Sequence, residues 1–201
     1  CRPCFFLSRS TIIMPSFTFV YTALAFTRQG ARIVFCDSKK NRPGMDEDLL
    51  ESLITSKTKA IITVALYGLS PDYDKIVDIC KKYNLFLIED NAECMLGSYK
   101  GKLVGQFGDF ASFSFQASKH ITCGEGGILI CNNEEYANNA RRFSSLGYAG
   151  INAKQGKITR NDIQDPNYNR HISIGFNYRM SELQAAVAFG QLERIDELIN
   201  N

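Results

Sequence analysis

Tryptophan is absent from the 201 residues, histidine occurs twice and proline five times, and the charges almost cancel. Lysine plus arginine number 23 against 21 for aspartate plus glutamate. A net charge of +2 supplies no basic surplus to neutralise a phosphate backbone, so nucleic acid is not an expected partner. No apolar run is long enough to cross a bilayer, so no membrane partner is expected and the cytoplasm is the expected location. The opening CRPCFFLSRS lacks an initiating Met and is too short in its apolar part for a signal-peptide core. No G-x-G-x-x-G follows the first apolar run, which sets aside a dinucleotide-dependent dehydrogenase.

A cysteine framework is missing as well. Cys1, Cys4, Cys36, Cys80, Cys94, Cys123 and Cys131 are odd in number and irregular in spacing. That is the usage of reduced thiols in an intracellular protein. Cys1-Arg-Pro-Cys4 has the spacing of a redox dithiol, but no strand precedes it and no amphipathic helix follows, so redox chemistry is not expected there. A zinc site would need a second ligand pair, and none is spaced for it; no metal is expected.

What is present is ordinary in bulk and specific in order. At 45% apolar and 22% charged, the chain has the composition of a soluble domain with a real core. Apolar runs at Thr11-Ile12-Ile13-Met14, Arg32 to Cys36, Ala60 to Leu66, Leu85 to Ile88, Phe110 to Phe115 and Ile128 to Cys131 read as strands. Between them, helical spacing is expected over residues 18–28, 46–54, 71–83 and 134–146. Ser70 is the expected N-cap of the third of these, Pro71 its first residue and Asn84 its stop. A last amphipathic helix opens on an S-x-x-Q box at Ser181 and Gln184. Alternation of this kind predicts an α/β fold, a mostly parallel mixed sheet flanked by helices. Ligands of such sheets gather at the carboxyl ends of the strands. The polar segment 148–176 has little periodicity, and a loop of that length is usually functional.

Two segments carry chemistry. In Ile88-Glu89-Asp90-Asn91-Ala92-Glu93 a buried strand ends in acids, and Asp90 is expected just past its carboxyl end. A carboxylate there can pair with a ligand cation such as a protonated pyridine nitrogen; a helix N-cap or a metal ligand are its other uses. In Phe113-Ser114-Phe115-Gln116-Ala117-Ser118-Lys119-His120 a lysine follows a strand and precedes Gly124-Glu125-Gly126-Gly127. A Schiff-base lysine needs that setting, mobile yet partly desolvated, with glycines that let backbone pass close to it.

Together with Pro15-Ser16-Phe17-Thr18-Phe19 and Gly175-Phe176-Asn177-Tyr178-Arg179-Met180, these segments resemble, in order and spacing, the signature segments of the DegT/DnrJ/EryC1/StrS family. These are nucleotide-sugar aminotransferases dependent on pyridoxal 5'-phosphate (PLP), of fold type I, and the resemblance runs from about residue 11 to the end. It implies the large domain of such an enzyme over 11–201, incomplete, behind an atypical segment 1–10. It implies that Lys119 holds the cofactor and shuttles a proton, that Asp90 pairs with the pyridine nitrogen, and that Phe19 stacks on the ring. Glu93 would lie near the phenolic oxygen, and Ser114 would donate to the phosphate. Asn177 would reach the phosphate of a neighbouring subunit, which implies a homodimer with shared sites. Arg179 would meet a substrate carboxylate or phosphate, or serve as a structural ion-pair partner.

The activity so implied is amino transfer from glutamate, through the pyridoxamine form (PMP), to a nucleotide-diphosphate keto-deoxysugar. The product would feed a surface polysaccharide or lipopolysaccharide, with segment 148–176 as the candidate for substrate recognition. One branch of the family replaces the lysine with histidine and performs a 3-dehydration. Here Lys119 keeps the position in register with Phe113-Ser114-Phe115, and His120 is expected as a neighbour with a local hydrogen bond. Relatives also carry a Ser-Gly-Thr-type phosphate turn upstream and a small domain downstream, which are not found here. A non-catalytic binding or dimerisation module is therefore the alternative, and a sugar 3-dehydratase another.

Overall fold

The computed structural model describes residues 10–151 and 159–200, so the Cys1–Cys4 pair lies outside the described residues. The elements in chain order are β1 (Thr11–Pro15), α1 (Val20–Thr27), β2 (Arg32–Cys36), α2 (Leu50–Leu53), β3 (Thr58–Val64), α3 (Tyr73–Tyr83), β4 (Phe86–Asp90), β5 (Ser98–Tyr99), β6 (Lys102–Leu103), β7 (Phe110–Ser114), β8 (Gly127–Cys131), α4 (Glu134–Ser144), α5 (Arg160–Gln164), α6 (Glu182–Leu192) and α7 (Ile195–Asn200). They form two compact units, one up to Ile130 with residues from Gln184 onward, the other Cys131–Leu183.

The first unit is built on a six-stranded sheet of order β2-β1-β3-β4-β7-β8, the α/β architecture expected. The ladders β1–β2, β1–β3, β3–β4 and β4–β7 are parallel. Side chains alternate between its faces. Ile12, Met14, Ala60 and Ile62 face Ala23 and Phe26 of α1. Ile13, Ile61 and Leu87 face Tyr73, Ile76 and Cys80 of α3. Burial on both faces explains why the inner strands read as unbroken apolar runs rather than alternating ones.

Alternation also separates the two acids at the end of β4. Glu89 points to the α3 face and is fully buried. Its carboxylate accepts the amides of Gly105 (2.6 Å), Phe107 (2.8 Å) and Gly108 (2.6 Å). A carboxylate saturated by backbone donors is a structural anchor, and it ties the loop before β7 to β4. Asp90 is the last residue of β4 rather than a residue beyond it, and it lies on the α1 face.

Several elements differ from expectation. Helix α3 starts on Asp72, whose side chain accepts from the Lys75 amide, while the Ser70 hydroxyl donates to Ser98 O at 2.9 Å and is not a cap. The helix expected over 46–54 shrinks to Leu50–Leu53. Its would-be first turn is held otherwise, because Glu47 turns inward to pair with Lys39 and with Arg42 at 2.7 Å and to accept the Asp72 amide at 3.0 Å. The β5–β6 hairpin was not anticipated; its turn residues Lys100 and Gly101 both take positive φ, as a two-residue hairpin turn requires. Helix α6 has no buried residue, with Val187, Phe189 and Leu192 exposed, and the helical segment breaks before α7 instead of running on as one amphipathic helix.

In the second unit, α4 ends at Ser144, two residues before its expected limit, because Leu146 and Gly147 enter positive φ. A Cβ on Gly147 would overlap Ser173 O, so only glycine fits that crossing. Phe143, Phe176 and Tyr178 cluster there, with ring centroids 5.2 Å apart for Phe143–Phe176 and 5.5 Å for Phe176–Tyr178. Within 148–176, the short helix α5 is closed by a Thr159–Asp162 capping box, so the segment is not structureless throughout.

Candidate active site

The carboxyl ends of β4 and β7 lie side by side, with Asp90 opposite Ser112. From Asp90 the chain enters a tight turn closed by Cys94 N donating to Asn91 O at 3.1 Å. Asp90 and Glu93 therefore sit on consecutive parts of one structure. The Asp90 carboxylate is held at both oxygens: Thr22 of α1 donates to Oδ2 at 2.7 Å, and the Ala92 amide donates to Oδ1 at 3.2 Å. No group of three or more His, Cys, Asp or Glu side chains that could hold a metal ion exists among the described residues.

Lys119 meets this turn from the loop after β7. Its Nζ lies 3.5 Å from Glu93 Oε1, with 22% of the lysine side chain and 31% of the glutamate side chain exposed. The other oxygen, Glu93 Oε2, is buried and has no hydrogen-bond partner among the described residues. An ammonium and a half-satisfied carboxylate at the rim of a parallel sheet form a polar site with spare bonding capacity. His120 is exposed, and no hydrogen bond to it is found among the described residues, against the local bond expected of it.

The lysine loop is braced on several sides. Lys119 N donates to Gln116 O at 3.0 Å, and Ser118 bonds the Gln116 side chain. Phe115 closes the loop's base through Gly126 O and Cys123 N. Gly124 supplies positive φ. Gly127 serves close packing of β8, since a Cβ there would lie 2.9 Å from Phe113 O; it is not placed to clear the lysine. Helix α6 adds two braces that sequence reading missed: Gln184 Nε2 donates to Glu125 O at 2.7 Å, and Gln191 Oε1 accepts from Thr122 N at 3.4 Å. Their seven-residue spacing puts both on one helix face, the signal that could have paired them.

Ser114 ends β7, two residues beyond the partner of Asp90, and its hydroxyl accepts from the Gln116 amide at 3.2 Å. Phe19 immediately precedes α1 and is 67% exposed, which rules out a role as core phenylalanine. Asn177 and Arg179 belong to the second unit, where both are exposed and Arg179 Nε donates to Asn177 Oδ1 at 2.8 Å. Arg179 makes no ion pair among the described residues. Arg170 lies over the Tyr148 ring at 5.2 Å and His171 Nδ1 is 2.8 Å from Leu146 O, so the described part of 148–176 is tied to itself and to the residues at the end of α4. Residues 152–158 lie outside the description.

Five cysteines of the described chain are free, as expected. No helix among the described residues is long and apolar enough to cross a membrane.

Comparison with known proteins bears on what this arrangement is. Residues 7–201 match the model of the DegT/DnrJ/EryC1/StrS aminotransferase family. The GDP-perosamine synthase of Caulobacter vibrioides is 40% identical over 187 residues, covering 92% of this chain and 46% of that protein. An aminotransferase from Psychrobacter cryohalolentis superposes with a TM-score of 0.85 at 30% identity, over 96% of this chain and 48% of that one. Helicobacter pylori PseC, an aminotransferase involved in the biosynthesis of pseudoaminic acid, superposes with a TM-score of 0.80 at 33% identity, over 94% and 47%. The chain thus spans about half the length of the relatives it matches.

Proposed function

The chain belongs to the DegT/DnrJ/EryC1/StrS aminotransferase family, and we propose that it forms the cofactor-binding part of a PLP-dependent aminotransferase acting on a nucleotide-linked keto-deoxysugar. The observation that carries this reading is the Lys119 amine set 3.5 Å from Glu93, on the turn that Asp90 begins.

The residues fit the cofactor chemically. Asp90 offers a carboxylate, already oriented by Thr22 and Ala92, to a ring nitrogen that must keep its proton. Glu93 offers an unpartnered buried oxygen for a ring hydroxyl. Lys119 offers the primary amine for covalent attachment, and Ser114 a hydroxyl for a phosphate. PLP, when bound, supplies an electron-withdrawing ring that stabilises negative charge at the substrate carbon. Asp90 holds the proton on the ring nitrogen by ion pairing. Lys119 takes the proton from the substrate carbon and returns it on the other side of the transfer, with Glu93 restraining its amine between those positions. Phe19, exposed just ahead of α1, would supply an aromatic face for the ring.

A sugar acceptor is supported by the relatives, a GDP-perosamine synthase and an aminotransferase involved in pseudoaminic acid biosynthesis. Glutamate is the proposed donor and a surface polysaccharide or lipopolysaccharide the proposed destination. Asn177 is assigned to the cofactor phosphate of a second copy and Arg179 to a substrate anion, in a homodimer with shared sites. Residues 11–201 are assigned to one large domain.

Purified protein mixed with PLP and reduced with borohydride should carry the pyridoxyl mass on the peptide containing Lys119. Label that persists in Lys119→Ala would overturn the assignment. Release of 2-oxoglutarate from glutamate, coupled to amination of a nucleotide keto-sugar, tests the donor and acceptor; sedimentation tests the dimer.

A further inference from the structure

The Asp90 carboxylate is not positioned by its own strand alone. Thr22 Oγ1 donates to Asp90 Oδ2 at 2.7 Å across a sequence separation of 68 residues, and Thr22 is only 8% exposed. The same hydroxyl lies 3.0 Å from Thr18 Oγ1. A hydroxyl has one proton to give. Thr22 spends it on Asp90, so the Thr18–Thr22 bond must run from Thr18 to Thr22. The result is a directed relay, Thr18 to Thr22 to Asp90. Thr18 and Thr22 are one helical turn apart, and Phe19 lies between them at the start of α1.

We propose that Thr22, supported by Thr18, is a positioning residue that locks the Asp90 carboxylate and couples its orientation to the segment bearing Phe19. This extends the proposed PLP reading and rests on it. The bond occupies one side of Oδ2, while the Ala92 amide occupies Oδ1. With rotation about the side chain blocked from two elements, the free lone pairs of Asp90 have a fixed direction toward a ring nitrogen. Hydroxyl-to-carboxylate bonds of this length are charge-assisted and roughly twice as strong as neutral ones. A cooperative chain that ends on the carboxylate strengthens its last bond further. The segment Thr18–Thr22 thereby sets the ring-face residue and the ring-edge residue as one piece.

The test uses the full chain and PLP labelled with 15N in the ring. Thr22→Val removes the donor and keeps the shape; Thr22→Ser restores the hydroxyl. The dissociation constant for PLP should rise about tenfold in Thr22→Val, the equivalent of one lost charge-assisted bond. The ring-nitrogen resonance should move toward the unprotonated position. Thr22→Ser should recover both, and Thr18→Val should give a smaller change of the same sign. A purely structural role would lower thermal stability without moving the nitrogen resonance. The proposal is overturned if Thr22→Val keeps the wild-type resonance and binds PLP within twofold. Asp90→Asn separates the levels: a resonance unchanged in that variant would remove the cofactor reading itself, and this inference with it.

Discussion

Replacing Glu89 should damage the fold severely, and the structure gives the size of the effect. One oxygen accepts Phe107 N at 2.8 Å and Gly108 N at 2.6 Å, and the other accepts Gly105 N at 2.6 Å. A hydrogen bond to a charged group contributes about 1.5–3 kcal/mol, and a buried amide left without an acceptor costs about 1–3 kcal/mol. Three such donors freed by Glu89→Ala give a loss on the order of 5 kcal/mol, the low end of the sum because a loop can relax toward water. Glu89→Gln keeps one oxygen for two of the donors and sets an NH2 against the third, so about half that loss is expected. Domains have about 5–15 kcal/mol in total, so the alanine variant should lie near its unfolding midpoint without denaturant. Urea unfolding followed by far-ultraviolet circular dichroism gives both values. Glu93→Gln is the control: one of its oxygens has no partner among the described residues and the other lies 3.5 Å from a partly exposed lysine, so the change should stay within about 1 kcal/mol. If Glu89→Ala costs less than about 1 kcal/mol with an unaltered urea dependence, the anchoring role is wrong.

Other outcomes follow from the same loop and its neighbours. Gly108→Ala places a Cβ 2.6 Å from the Leu87 carbonyl oxygen, so backbone must move, and a thermal melt should show a loss of about 2 kcal/mol or more. Burial acts to raise the Glu47 carboxyl, but bonds from Lys39 and the Asp72 amide outweigh it and hold its pKa below the usual value. A depressed folded pKa means its stabilisation is complete above the ordinary carboxylate value of about 4.3 and disappears as pH falls through the folded value. Glu47→Gln should therefore be destabilised at pH 7, and its deficit should shrink under acid in parallel urea titrations. Burial pushes the Cys80 thiol up to about 12 and the Cys36 thiol up to about 11. Native protein at pH 8 should be alkylated at half-buried Cys131 and spared at Cys36 and Cys80 by peptide mass analysis; labelling of Cys80 at the Cys131 rate would contradict the packing.

How much of this was legible beforehand depends on whether the decisive interactions are local. The alternation of apolar runs and helical spacing was enough to read the α/β architecture, because burial on both faces of a parallel sheet writes itself into each strand independently. The acids after Ile88 and the lysine before the glycine turn stand out in the sequence by residue type and order, and the structure sets Lys119 3.5 Å from Glu93. Asn84 was read correctly as the stop of α3 because a left-handed cap is a local backbone property.

Partners distant in sequence were not legible. Nothing local distinguishes Glu89 from Asp90; only the pleat sends one to the α3 face and a ring of amides, and the other to α1 and Thr22. Ser70 looks a better cap than Asp72 until Ser98 takes its hydroxyl, and the helix expected from Asp46 fails because Glu47 is drawn inward by Lys39 and Arg42. Residue order alone determined which groups this chain could bring to a site: an amine, two carboxylates, an aromatic ring. Tertiary structure alone decided that Glu89 anchors a loop, that Asp90 is held from α1 and that Glu93 meets the amine, because those partners lie 16 to 68 residues away.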